Sequence, residues 1–126
     1  MKSKTESKVM RSKLEIQTII EKILLKHGID LSSHSYYLRL SLPSYDDFVI
    51  EKEGYKIHIG FYLPNPKGDL NPLVVFEFNK GYWLLKKIDL ILGGIDKNQL
   101  MDWQKNYAAN IKKQRWLENG EKVEIV

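Results

Sequence analysis

Cysteine is absent from the 126 residues. That excludes a disulfide scaffold, a thiol nucleophile and a cysteine zinc site. Histidine is scarce. His27, His34 and His58 lack the i, i+4 spacing of a helical zinc site, so each reads as a surface residue and no metal is expected. Long apolar runs are also missing. The longest, such as Leu90-Ile91-Leu92, are far too short to cross a bilayer. The first thirteen residues lack the apolar core of a signal peptide, so a cytoplasmic protein with no membrane partner is expected. Neither a Gly-x-Ser-x-Gly elbow nor a phosphate-loop pattern occurs, and Gly93-Gly94 is only a pair. No catalytic residue and no cofactor site is assigned on these grounds.

What is present suits one globular domain. Hydrophobic residues make up 43% and charged residues 29%, an ordered balance rather than a disordered one. A chain of this length hides roughly two thirds of its unfolded surface and needs no staple. Residues 1–8 are polar and read as a flexible tail, and residues 9–126 as a single α+β domain.

Apolar residues recur at three and four positions through residues 9–27, with Ile16, Ile19, Ile20, Ile23 and Leu24 on one stripe. That spacing predicts a helix, and Gly28 supplies its stop. Tyr36, Leu38, Leu40 and Leu42 then alternate with polar residues, which predicts a half-buried strand ended by Pro43. Residues 48–50 and the alternating run 55–63 read as a hairpin about Gly54. Three of the four prolines fall between 64 and 72 and mark a loop. Residues 73–78 are strongly β-prone, and Lys80-Gly81 turns them back into a strand from Tyr82. Residues 86–92 fit strand or helix spacing equally. Leu100, Trp103, Tyr107, Ile111 and Gln114 mark a second helix over 96–117, with Asp96 as N-cap and Asn119-Gly120 as stop. The alternating tail 121–126 has the pattern of a short edge strand. The expected architecture is a mostly antiparallel sheet of about five strands, with an N-terminal and a C-terminal helix packed on one face.

The segment 68–76, with Tyr62 as a strand-end tyrosine, and the later run Tyr107-Ala108-Ala109-Asn110-Ile111-Lys112-Lys113-Gln114 resemble an uncharacterised domain family of bacterial, phage and plasmid genes. The resemblance covers roughly the second half of the chain. Asn71-Pro72 stands where that family usually has Asp-Pro, and Tyr107 where it usually has tryptophan. Arg115 follows Gln114 where the family has glycine. The resemblance implies a mobile-element context and no particular chemistry.

Two kinds of surface are candidates for function. The net charge is +4, with basic residues gathered at Lys2, Lys4, Lys8, Arg11 and Lys13 and again at Lys105, Lys112, Lys113 and Arg115. On the expected layout these two groups merge on the outer side of the helices into a weak, sequence-independent anion surface. Of the aromatic residues, Tyr82, Trp83 and Trp116 are expected to be partly exposed, whereas Trp103 and Tyr107 fit the core stripe. The candidate binding surface is therefore Tyr82, Trp83, Lys112, Lys113, Arg115 and Trp116. A metal-dependent nuclease is a distant third reading. Asp46, Asp47, Asp69 and Glu77 could supply carboxylates, but Lys80 falls at the wrong parity to join Glu77 on one strand face. Glu77 is better read as a strand-edge residue with its carboxylate in water. The sequence thus points to a small non-catalytic accessory or interaction protein with a protein partner. The alternative is a nucleic-acid-binding module that uses the basic helix faces and exposed aromatics.

Overall fold

The computed structural model describes residues 13–63, 69–90 and 93–125. The expected tail 1–8 and the first turns of the helix expected over 9–27 lie outside them. In chain order the elements are α1 (Glu15–Lys26), β1 (Ser35–Leu42), β2 (Tyr45–Glu53), β3 (Lys56–Phe61), β4 (Leu73–Asn79), β5 (Tyr82–Leu90) and β6 (Gly93–Gly94). A 3-10 turn (Lys97–Gln99), α2 (Leu100–Lys113), α3 (Trp116–Asn119) and β7 (Glu121–Ile125) follow.

All strands form one sheet in the order β6-β5-β4-β3-β2-β1-β7, with every neighbouring pair antiparallel. The chain is α+β, as its patterning predicts, but the sheet has seven strands rather than five. One addition is the tail, which does form an edge strand. The other is Gly93–Gly94, which pairs back onto Asp89 and Leu90 instead of merely ending β5. The ambiguous run resolves as strand as far as Leu90.

Alternation decides the layers. β1 buries Tyr36, Leu38, Leu40 and Leu42, and β2, β3 and β4 bury Phe48, Ile50, Ile57, Ile59, Val74 and Phe76. These share one apolar cluster with Ile16, Ile19, Ile20, Ile23 and Leu24 of α1, Tyr107, Ala108 and Ile111 of α2, and Trp116 of α3. The hydrophobic effect thus gathers the helix stripes on one sheet face. The helix expected over 96–117 is broken. Arg115 is left-handed (φ 67°), so the chain turns there and swings Trp116 inward.

Two buried glutamines, which periodicity does not reveal, hold α1 in place. The Gln17 amide donates to the Gly81 carbonyl at 2.8 Å and accepts from the Trp83 N–H at 2.9 Å. It therefore stands in for a neighbouring strand at the open edge of β5. Gln104 of α2 accepts from the Ile16 N–H at 3.1 Å and donates to the Glu15 carboxylate at 2.7 Å. It caps an orphan donor at the start of α1, where Leu14 offers no side-chain cap. At the other end Lys26 Nζ donates to the carbonyls of Leu117 (2.6 Å) and Glu118 (3.0 Å), tying α1 to α3.

β5, which is next to the two-residue edge strand β6, and the edge strand β7 each carry a bulge. Register shifts leave Lys86 as the extra residue in β5 and Val123 in β7. Gly60 marks the close approach of chain to chain. A Cβ there would collide with the Pro72 carbonyl and lie 2.9 Å from the Leu70 Cβ, so only glycine fits without a backbone shift.

His27 follows the last turn of α1, and Gly28 beyond it takes the left-handed stop (φ 79°). The His27 Nε2 is buried without a hydrogen-bond partner. Burial, then the charges of Lys26 and Lys122, hold its ionisation below the usual histidine range. The favourable end of the helix dipole is outweighed, because a protonated Nε2 would be a buried N–H with no acceptor. The folded protein therefore binds fewer protons than the unfolded chain once pH falls below about 6.5. Stability should drop as pH is lowered from 7.5 to 5.5, and His27→Gln should flatten that drop. Denaturant midpoints at the two pH values check it, and equal slopes for both proteins would count against it.

Candidate docking face

The structure disperses the surface expected from sequence. Trp83 is 3% exposed and Trp116 is 0% exposed, so neither is a surface aromatic. Trp83 falls on the helix side of β5 and packs on Phe76 at 5.0 Å. Trp116 is turned inward by Arg115 and packs against Phe48 and Phe61 at 5.5 and 5.8 Å. Tyr82 is half-buried, while Lys112, Lys113 and Arg115 are exposed. Gln17 touches the β4–β5 turn beside Tyr82, and Lys26 reaches α3 beyond Arg115. Those two contacts lie about 14 Å apart along α1, so Tyr82 does not join the basic group.

That group is also interrupted by acid. Lys13 pairs with Glu21 at 2.8 Å. The Glu15 carboxyl is held below the usual carboxylate range, first by the Gln104 hydrogen bond and then by its own backbone N–H, with smaller contributions from Lys105 and Lys112. Lys8 and Arg11 lie outside the described residues.

A different surface is organised. The face of the sheet turned away from the apolar cluster is made of the alternate strand residues. Register sets them in rows: Glu124, Arg39, Val49 and Gly60; then Tyr37, Glu51, His58, Val75 and Lys87; then Glu53, Lys56, Glu77 and Leu84. Val49 is 2% exposed, yet it stands apart from the helix-side cluster, so it is covered by its own face. Arg39 donates to Asp47 at 2.7 Å, and its guanidinium lies 4.0 Å from the centre of the Tyr62 ring. The Tyr37 hydroxyl is pushed above the ordinary tyrosine range by burial, then by Glu124, with Arg39 opposing and Glu51 adding to the rise. Tyr37, Arg39, Asp47, Glu51, Tyr62 and Glu124 therefore share one electrostatic neighbourhood.

This face is acidic on a basic chain. It carries Asp47, Glu51, Glu53, Glu77, Asp89, Glu121 and Glu124 against Arg39, Lys56 and Lys87. Seven carboxylates and three cations leave −4, where the whole chain is +4. Two of the cations are engaged locally, Arg39 with Asp47 and Lys87 with Asp89 at 3.2 Å. Lys56 stands between Glu53 and Glu77 in the register. A hollow of about 350 Å³ opens among Glu51, Glu53, Tyr55, Lys56 and His58.

A larger open depression, about 990 Å³, surrounds the β1–β2 turn and is lined by Lys26, Tyr45, Asp47, Glu118 and Glu121 among others. Lys26 and Asp47 are already engaged there by backbone carbonyls and by Arg39. Among the described residues no group of three or more His, Asp or Glu is placed to hold a metal ion. Glu77 lies on β4, an interior strand between β3 and β5, which corrects its reading as a strand-edge residue. Lys80 sits in the following turn with φ 51°. Asp47, one of the carboxylates considered for a nuclease, is Arg39's partner. No described helix is long and apolar enough to cross a membrane. No family model, curated protein or solved structure matches the chain.

Proposed function

We propose that this is a small non-catalytic interaction protein that docks a protein partner on the sheet face that no described helix covers, as an accessory protein of the kind mobile elements carry. The observation that supports this reading is that no described helix lies over one sheet face, yet Tyr37, Arg39, Asp47, Glu51 and Tyr62 on it are half-buried. Arg39 is fixed between a carboxylate and an aromatic ring, and Tyr37 is held among charges. Fixed side chains lose little entropy on association, which favours recognition. The nucleic-acid alternative has less support. Its tryptophans are in the core, its cations are partly matched by Glu15 and Glu21, and the sheet face would repel phosphate.

A photo-reactive benzoylphenylalanine tests the reading when placed at Leu84, which is exposed on the face, or at Lys113, exposed on α2. Irradiation in an extract of the native host should give a discrete protein adduct from position 84 and none from 113. Adducts from 113 alone, or adducts that nuclease digestion removes, would reject the sheet face as the working surface.

A further inference from the structure

The docking reading gains a partner chemistry from one comparison within the molecule. Around Tyr62 the face holds three parts: a tyrosine ring, a carboxylate (Asp47) and a guanidinium (Arg39) laid on the ring at 4.0 Å. Around Tyr37 it holds the ring and two carboxylates, Glu51 directly across the β1–β2 ladder and Glu124 beside it on β7. Arg39 lies nearby but is engaged by Asp47 and Tyr62. Here the guanidinium is the missing part.

Resting on the docking reading above, we infer that the partner presents a basic segment and that one of its arginine side chains seats on the Tyr37 ring between Glu51 and Glu124. Charge complementarity carries the assignment, because a face of −4 on a chain of +4 attracts cations and repels the same face of another copy. Arginine suits the seat better than lysine. Its planar guanidinium stacks on an aromatic face and still offers donors along its edge to both carboxylates. The Tyr37 ring is half-buried and directly opposite Glu51 in the ladder.

The probe is a deca-arginine peptide, titrated into the whole protein labelled with ¹⁵N. Amide shifts should concentrate at Tyr37, Glu51 and Glu124 and weaken steeply as salt is raised. The double variant Glu51→Gln, Glu124→Gln should raise the dissociation constant roughly tenfold, and Tyr37→Leu, which leaves every charge in place, about threefold. Deca-lysine should bind more weakly than deca-arginine. Shifts centred instead on Glu118 and Glu121, or an unchanged constant in the double variant, overturn the inference. A Leu84 adduct without a deca-arginine response overturns the basic chemistry and leaves the docking face standing. A response at Tyr37 without any adduct supports the arginine seat and removes the docking claim.

Discussion

Trp116→Ala should lower the unfolding free energy by about 3–5 kcal/mol, a large share of the roughly 5–15 kcal/mol that holds a domain of this size. Trp116 is fully buried at the junction of α3 with the sheet. Its ring meets Phe48, Phe61 and Tyr45 at 5.5, 5.8 and 6.1 Å, and its Nε1–H donates to Gln114 at 2.8 Å. Truncation would leave a void under three aromatic rings and remove the donor to the Gln114 side-chain amide oxygen. Gly120 lies against the same residue: a Cβ there would come within 2.6 Å of the Trp116 carbonyl oxygen and 3.1 Å of its ring, so the neighbourhood is already close-packed. Trp103→Ala should cost less. Trp103 is only partly buried and stacks on Tyr107 at 4.9 Å, so part of its surface is wet before truncation. Urea titrations of the two variants give the ranking. A Trp116→Ala midpoint close to that of the unaltered protein would mean that the ring is not in the core.

Gln17→Leu should cost about 2–4 kcal/mol although it keeps the volume and adds apolar surface, because it strands the Trp83 N–H and the Gly81 carbonyl, at about 1–3 kcal/mol for each group left unsatisfied. Burying leucine there would ordinarily stabilise, so the sign of the effect separates the two contributions. Hydrogen exchange supplies the specific readout. The Trp83 amide should exchange much faster in the variant than the amides of β2 and β3 do. A variant as stable as the parent, with Trp83 still protected, would show that something else satisfies that edge.

Much of the scaffold is legible in the chain because it rests on short-range rules. The alternation Tyr36, Leu38, Leu40, Leu42 places β1, and Gly28 ends α1 where a left-handed residue is needed. The break at Arg115 was not legible, since a left-handed arginine has no propensity signature and the apolar spacing runs on through it. That one dihedral misplaced Trp116, because an unbroken helix turns it off the stripe. Trp83 was misjudged for a related reason, as its side of β5 is set by pairing with Phe78 rather than by any local pattern. Gln17 and Gln104 carry no local signal of their burial, because their partners are 64 to 89 residues away in the chain. The acidic face is readable only once register is known. Its carboxylates are dispersed from Asp47 to Glu124, and nothing in a linear scan brings Glu124 beside Tyr37.

The bulges at Lys86 and Val123 sit in β5, which only the two-residue β6 covers, and in β7, the strand at the other end of the sheet. Each breaks the two-residue spacing of outward-pointing amides and carbonyls, while Gln17 and Gly93–Gly94 occupy what remains of the β5 side. The sheet is thereby self-terminating: it offers no continuous template on which an incoming chain could polymerise as an added strand. Recognition is forced onto side-chain chemistry, where one substitution can retune it. A partner could then be gained or lost without any change in the backbone framework, and crowding many copies together should yield monomers rather than fibres.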